Sequence, residues 1–322
     1  MTAPPFAGAS RVVCVGETMA VLAPTSSVSL EFAEECMLGI GGAESNVAAQ
    51  LAELGLTAVW AGRVGSDPFG QRVLRVLSER GVDVSLAEVD ASAPTAVYFK
   101  EPDTGTGART LYYRAGSAAS LMGPEAIRRW SLDSAPWVHI SGITAALSAT
   151  CRALLEAVLD QRAAAGLPTS FDVNYRPALW APAEAGPVLL ELASRATVVL
   201  VGLDEAQTLW GCMTVEDVAE VLPEPGHLVV KDGAVEAIEY VRPSGGPRAA
   251  YRVPARQVDV VEPVGAGDAF AAGFLAGFIC GTHPADRLSL GHALAAWTLG
   301  GRGDFRPGHG LTAPGPARSG AS

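Results

Sequence analysis

Cysteine is scarce in this chain and follows no pattern. Its five residues, Cys14, Cys36, Cys151, Cys212 and Cys280, are widely spaced, odd in number and form no Cys-x-x-Cys pair. That argues against a disulfide framework and a structural zinc site, and fits a reducing compartment. Charge is thin as well: only 18% of residues are charged, and 23 basic against 34 acidic side chains leave a net charge of −11. Such a surface disfavours nucleic acid and anionic membrane as partners, and an anionic small molecule would need arginines gathered locally. No uncharged apolar run reaches membrane-spanning length, and residues 1–10 have neither a basic n-region nor a long apolar h-region. The five histidines show no metal-ligand spacing. These absences lead us to expect a soluble, cytoplasmic protein.

What the chain does have is 49% hydrophobic residues over 322 positions, enough for one large core with at most a small appendage. Short β-branched runs at Val12–Val15, Ala58–Ala61, Trp137–Ile140, Thr169–Val173, Val198–Val201 and Leu228–Lys231 read as buried strands. Between them, Glu44–Leu54, Phe69–Arg80, Cys151–Ala165, Glu184–Arg195 and Asp204–Gly211 read as helices. This alternation predicts an α/β fold with a mostly parallel sheet covered on both faces and a ligand at the carboxyl ends of its strands. Two segments break the alternation. Residues 18–38 and 95–114, the latter with an Asp103-Thr104-Gly105-Thr106-Gly107 turn, read as strands and hairpins that form either a small β-rich lid or ordinary surface hairpins. The last stretch, 306–322, is rich in Gly, Pro, Ala and Ser and reads as a flexible tail.

The segment Val261-Glu262-Pro263-Val264-Gly265-Ala266-Gly267-Asp268 places a glycine turn and one carboxylate directly before an apolar run. It reads as a plain capped turn, or as an anion cradle of backbone N–H groups with Asp268 as a general base. A second cluster, Gly41-Gly42 through Asn46, opens another helix; Asn46 offers a donor and an acceptor to a polyol, or simply caps. Tyr112 and Arg114 fall on one face of an alternating strand that Tyr98 could join, and Arg176 follows a strand end. Cross-strand packing and solvation are the alternatives for these residues. Glu205 follows a buried strand at a helix start, where it either reaches a metal held chiefly by phosphates or simply caps or is solvated, and Lys231 and Gly233 end the next strand as a nucleotide contact or a routine turn.

Taken in order, Gly41-Gly42 through Asn46, Gly62-Arg63-Val64-Gly65-Ser66-Asp67-Pro68-Phe69-Gly70 and Gly265-Ala266-Gly267-Asp268 resemble the two signatures of the PfkB, or ribokinase-like, carbohydrate kinases. The resemblance covers roughly residues 11–305 and implies a three-layer kinase domain with lid segments inserted at about 18–38 and 95–114. No P-loop lysine motif is present, which suits this family. Tyr112-Tyr113-Arg114-Ala115-Gly116-Ser117 and Asp172-Val173-Asn174-Tyr175-Arg176-Pro177 are similar to the 2-keto-3-deoxygluconate kinases among them.

That likeness implies a sugar acid as substrate, phosphorylated from ATP on its terminal hydroxyl. Gly42, Asn46, Tyr98, Tyr112, Arg114 and Arg176 would hold the sugar, and Asn174, Glu205, Lys231, Gly233, Gly265 and Gly267 the ATP. Asp268 would be the base, ionised at neutral pH by its place at a helix start, with Gly265, Ala266 and Gly267 stabilising the transferred phosphoryl group. Mg2+ would accompany the ATP, with Glu205 reaching it through water. Gly202 stands where relatives commonly have Asn, and Glu262-Pro263 where they often have Asp-Thr, which leaves a monovalent-cation site beside that loop in question. A neutral sugar (fructose, ribose) or a nucleoside is the alternative substrate, and a non-catalytic sugar-binding regulator the alternative class. Exposed lid strands would pair subunits into a homo-oligomer.

Overall fold

The β-branched runs become the backbone of one twisted sheet. The computed structural model describes residues 11–102, 109–242, 248–301 and 303–311, so the Asp103–Gly107 turn, the first ten residues and most of the tail lie outside the described residues. In chain order the strands are β1 (Val12–Val15), β2 (Met19–Pro24), β3 (Cys36–Gly41), β4 (Ala58–Ala61), β5 (Arg63–Gly65), β6 (Glu88–Asp90), β7 (Val97–Glu101), β8 (Arg109–Tyr113), β9 (Trp137–Ser141), β10 (Thr169–Asp172), β11 (Val198–Gly202), β12 (His227–Asp232), β13 (Glu236–Val241) and β14 (Ala249–Pro254). Eight of them form the central sheet in the order β14-β13-β12-β11-β10-β9-β1-β4, parallel from β4 to β12 and antiparallel across β13 and β14.

Alternation along these strands divides the core in two. Val13, Val15, Val138, Ile140, Phe171, Val199 and Val201 point into one buried cluster. Their neighbours Val12, Cys14, Trp137, Val198 and Leu200 point into the other. The helices that cover the faces are α1 (Ala43–Glu53), α2 (Pro68–Glu79), α3 (Ala126–Arg129), α4 (Gly142–Leu147), α5 (Ala149–Ala164), α6 (Pro182–Ser194), α7 (Leu203–Trp210), α8 (Val215–Val221), α9 (Ala266–Ile279) and α10 (Pro284–Leu299). Residues of α5 and α6 join the first cluster and residues of α1, α2, α9 and α10 the second, giving the helix–sheet–helix layering expected of the alternation. The run after Asp268 is apolar all round because α9 is buried all round, from Asp268 to Gly277.

Several charged residues are buried in this frame, Arg162 among them. Arg162 on α5 is 1% exposed and donates to the carbonyls of Leu132 and Ala135, 2.5 and 2.9 Å away, to that of Pro168 at 2.5 Å and to Thr169 Oγ1 at 2.9 Å. Desolvation lowers its pKa to about 10, so it remains a cation and ties α5 to the edges of β9 and β10.

The two segments that broke the alternation supply a separate four-stranded sheet in the order β3-β2-β7-β8, with β2 and β7 parallel and the outer pairs antiparallel. Several elements were not read from sequence: the antiparallel strands β13 and β14, the short pair β5 and β6, and α10. Strand β3 also runs to Gly41, past the expected end at residue 38. Backbone pairing with β2 carries it through two glycines that local propensity disfavours in a strand.

Candidate active site

The carboxyl ends of β10, β11 and β12 face the inner side of the four-stranded sheet across a cavity of about 530 Å3. Gly42, Asn46, Tyr98, Tyr112, Arg114, Asn174, Arg176, Glu205, Lys231, Gly233, Gly265, Gly267 and Asp268 all line it. Ala266 is not among the lining residues; its N–H turns back toward the carbonyl of Pro263 at 3.4 Å. None of the five histidines lines the cavity.

Helix α9 starts from Gly265, whose φ of +84° lies in the left-handed region. A Cβ there would come within 2.1 Å of the Asp304 carbonyl oxygen, so the turn needs glycine for its conformation and for its seat. Gly267 lies in the first turn of α9, where N–H groups have no intrahelical acceptor. Asp268, one residue on, is 8% exposed, and its Oδ2 accepts a hydrogen bond from Asn46 Nδ2 at 2.9 Å. The starts of α1 and α9 therefore meet at one carboxylate.

The charge state of that carboxylate corrects the expectation. Burial raises the Asp268 pKa from 3.8 to about 7, and Asp172 and Asp304 push the same way against the Asn46 hydrogen bond and the Arg176 charge. A helix start favours the anion by no more than about 1–2 kcal/mol, and desolvation outweighs it here.

On the small sheet, the Tyr98 and Tyr112 rings lie 5.6 Å apart at a 36° tilt, and the Arg114 guanidinium stands over Tyr112 at 5.5 Å. Tyr98 donates its hydroxyl to Asp304 Oδ2 at 2.5 Å, and burial followed by the Asp304 charge pushes the phenol pKa up. Arg114 is already ion-paired: its Nη2 is 2.5 Å from Oε2 of Glu17, a residue 1% exposed that also accepts from Ser117 Oγ at 2.7 Å. Arg176, by contrast, is exposed to the cavity, donates only to the Tyr175 carbonyl at 3.0 Å and has no ion-pair partner among the described residues.

At the other end, Lys231 Nζ stands 3.3 Å from Asp172 Oδ2, and a Cβ on Gly267 would lie 3.8 Å from that ammonium. Burial works against the Lys231 charge, but Asp172 and Glu205 together outweigh it and hold its pKa up. Glu205 does not project into open cavity as a bare ligand. Its Oε2 accepts from Gly202 N at 2.7 Å and its Oε1 from Tyr175 N at 2.8 Å, so it caps α7 and fixes the loop after β10. Burial raises its pKa against the pull of Lys231. Asn174 in that loop holds a left-handed φ of +43°. Among the described residues no group of three or more His, Cys, Asp or Glu side chains could hold a metal ion.

The lining residues not singled out from the sequence include three charged ones, Glu17, Lys100 and Asp304. Lys100 is two positions from Tyr98 on β7, so strand alternation alone puts it on the same face and would have found it. Glu17 follows β1 at a strand end, the place where ligands gather. Asp304 had no such signal; an Asp in a glycine-rich stretch reads as a turn former.

A doubly covered, mostly parallel sheet with two glycine-opened helices converging on one carboxylate defines a small-molecule kinase of the ribokinase-like class, built without a P-loop. The chain belongs to the pfkB family of carbohydrate kinases: the profile described as pfkB family carbohydrate kinase matches residues 9–307. It is 36% identical to a 2-dehydro-3-deoxygluconokinase of Thermoproteus tenax over 91% of this chain and 89% of the relative. A second 2-dehydro-3-deoxygluconokinase, from Bacillus subtilis, is 33% identical over 91% of this chain and 90% of the relative. Among solved structures, a PfkB protein from Polaromonas sp. JS666 superposes with a TM-score of 0.82 at 35% identity, covering 91% of this chain and 97% of that one. A fructokinase with bound ATP from Xylella fastidiosa gives 0.79 at 26% identity, covering 92% and 94%. No described helix is long and apolar enough to cross a membrane.

Proposed function

We propose that this carbohydrate kinase transfers the γ-phosphoryl group of ATP to the terminal hydroxyl of a sugar acid in the cytoplasm. The acid is 2-keto-3-deoxygluconate and the product its 6-phosphate. One observation carries the acid reading. Among the described residues, Lys100, Arg114 and Lys231 on the cavity wall lie within ion-pair distance of a carboxylate, whereas Arg176 does not and acts on Asp268 and Glu205 only at longer range. A free guanidinium in a mostly acidic protein matches a carboxylate ligand bidentately. The 2-dehydro-3-deoxygluconokinase relatives support the same substrate.

In this reading Tyr98, Tyr112 and Gly42 wall the sugar, and Arg114, held by Glu17, positions the ring of Tyr112 and the oxygens beside it. Asn46 fixes Asp268 through Oδ2, leaving Oδ1 to accept the proton of the attacking hydroxyl. A carboxylate whose buried setting favours the protonated form is driven toward accepting that proton. Gly265 and Gly267 place the α9 terminus against the charge that develops on the transferred group. Lys231 and Gly233 line the nucleotide end, with Asn174 beside them.

Mg2+ held mainly by the ATP phosphates would need few protein ligands, and Asp204 and Glu205, which line the cavity, would face its water shell. When bound, the ion supplies charge neutralisation to the ATP phosphates. We also propose that copies of the chain pair through the small sheet, whose outer face carries the edge-to-face Phe99 and Tyr113 rings, with Tyr113 67% exposed.

The test is Arg176→Gln. A lost charge-assisted contact is worth roughly 1.5–3 kcal/mol, so KM for 2-keto-3-deoxygluconate should rise about tenfold to a hundredfold. KM for ATP should stay within about threefold. A variant whose KM for the sugar acid matches that of the unaltered enzyme would remove Arg176 from carboxylate recognition.

A further inference from the structure

Phosphoryl transfer as described leaves Lys100 without a role, although it reaches into the cavity from the inner face of β7. Its ammonium pairs with Glu262 Oε1 and stands 2.6 Å from Asp304 Oδ1. Each carboxylate has a second attachment. Glu262 Oε2 accepts from Gly303 N at 2.7 Å, and Asp304 Oδ2 accepts from the Tyr98 hydroxyl at 2.5 Å. The Asp304 carbonyl, in turn, occupies the space a side chain on Gly265 would need.

Three stretches distant in sequence thus converge on one ammonium: the small sheet, the loop that leads into α9, and the segment after α10. The cluster is largely dry, with Lys100, Glu262 and Asp304 side chains 18%, 21% and 7% exposed. Two carboxylates this close and this shielded repel unless a cation lies between them. Remove that cation, and the loop carrying Gly265, Gly267 and Asp268 loses its fixed relation to the tyrosine-bearing sheet.

We propose that Lys100 is a positioning residue for phosphoryl transfer, a cation tethered to the small sheet that clamps Glu262 to Asp304 and so holds the Gly265 turn in register with the sugar-facing wall. The proposal rests on the kinase activity and is indifferent to which sugar is bound. Misplacing reacting groups by about 1 Å costs on the order of a hundredfold. Lys100→Ala in the full chain should therefore lower kcat by about tenfold to a hundredfold while changing KM for ATP by less than about threefold.

Because the missing element is a small cation, ethylammonium or ammonium chloride should restore part of the lost kcat. Tetramethylammonium, which has no N–H to donate, should not. Lys100→Arg, which keeps the charge, should fall between the alanine variant and the unaltered enzyme. Two results would overturn the proposal: kcat of Lys100→Ala within about twofold of the unaltered enzyme, or a loss that neither ethylammonium nor arginine relieves, which marks a merely structural lysine. If Lys100→Ala does not fold by circular dichroism, Glu262→Gln keeps the side-chain shape and loses its half of the clamp. A lowered kcat in that variant supports the proposal and an unchanged one contradicts it. Turnover of 2-keto-3-deoxygluconate by the unaltered enzyme is read separately; if it is absent, the sugar-acid reading fails and the Lys100 comparison proceeds on the neutral sugar that is phosphorylated.

Discussion

Asp268→Asn should lower kcat on the order of a hundredfold to ten-thousandfold, since a positioned general base contributes that much to proton transfer. Sugar binding should survive, because asparagine keeps the shape and an oxygen to accept from Asn46 Nδ2. The same substitution should stabilise the fold, and the sign follows from the raised pKa. The folded carboxyl holds its proton up to about pH 7, against an ordinary value of 3.8. Stability contributed by the protonated form is therefore complete below the ordinary value and is lost as pH rises through about 7. An amide escapes that loss. Thermal melts should show Asp268→Asn above the unaltered protein at about pH 8 and level with it at about pH 4. In the unaltered enzyme, kcat/KM should fall about tenfold per pH unit below about 7, where the base is protonated. A flat profile down to pH 5, or near-normal turnover by the asparagine variant, would mean that another group takes the proton.

Gly265→Ala carries the second large effect. The position holds φ at +84°, and a methyl there would meet the Asp304 carbonyl at 2.1 Å, so the turn must shift or open. Removing a single donor from such a site costs about a hundredfold to a thousandfold in kcat, and we expect a loss of that order. Gly211→Ala is the control: it has a comparable φ of +72° at the end of α7, and nothing lies within 4 Å of its added Cβ. Left-handed strain should cost each variant about 1 kcal/mol of stability, and denaturant melts should show Gly265→Ala losing more than Gly211→Ala because only its methyl meets backbone. Equal kinetic losses in the two would reduce the Gly265 effect to strain alone.

How far the sequence discloses this molecule depends on the range of the interactions involved. The parallel strands were legible because both faces of each are buried, which leaves unbroken apolar runs such as Val198 to Val201. Helix α9 was legible for the same reason. The small sheet was legible through the alternation of Tyr98, Tyr112 and Arg114, although whether it formed a separate layer depended on pairing between β2 and β7. Asp304 was not legible, because its meaning comes from Tyr98 and Lys100, more than 200 residues away in the chain. Glu17 carried a signal in its place just after β1, but its pairing with Arg114 was not legible, since that partner lies far along the chain. The protonation of Asp268 could not be read from a helix-start motif, as it is set by how deeply the whole fold buries that carboxyl.

Substrate choice is the most direct test. Steady-state kcat/KM should be determined with ATP for 2-keto-3-deoxygluconate, fructose, ribose and adenosine under identical conditions. A site that meets the carboxylate with a free Arg176 should favour the sugar acid over each neutral compound by about a hundredfold or more. Equal or better use of fructose, ribose or adenosine would contradict the sugar-acid assignment.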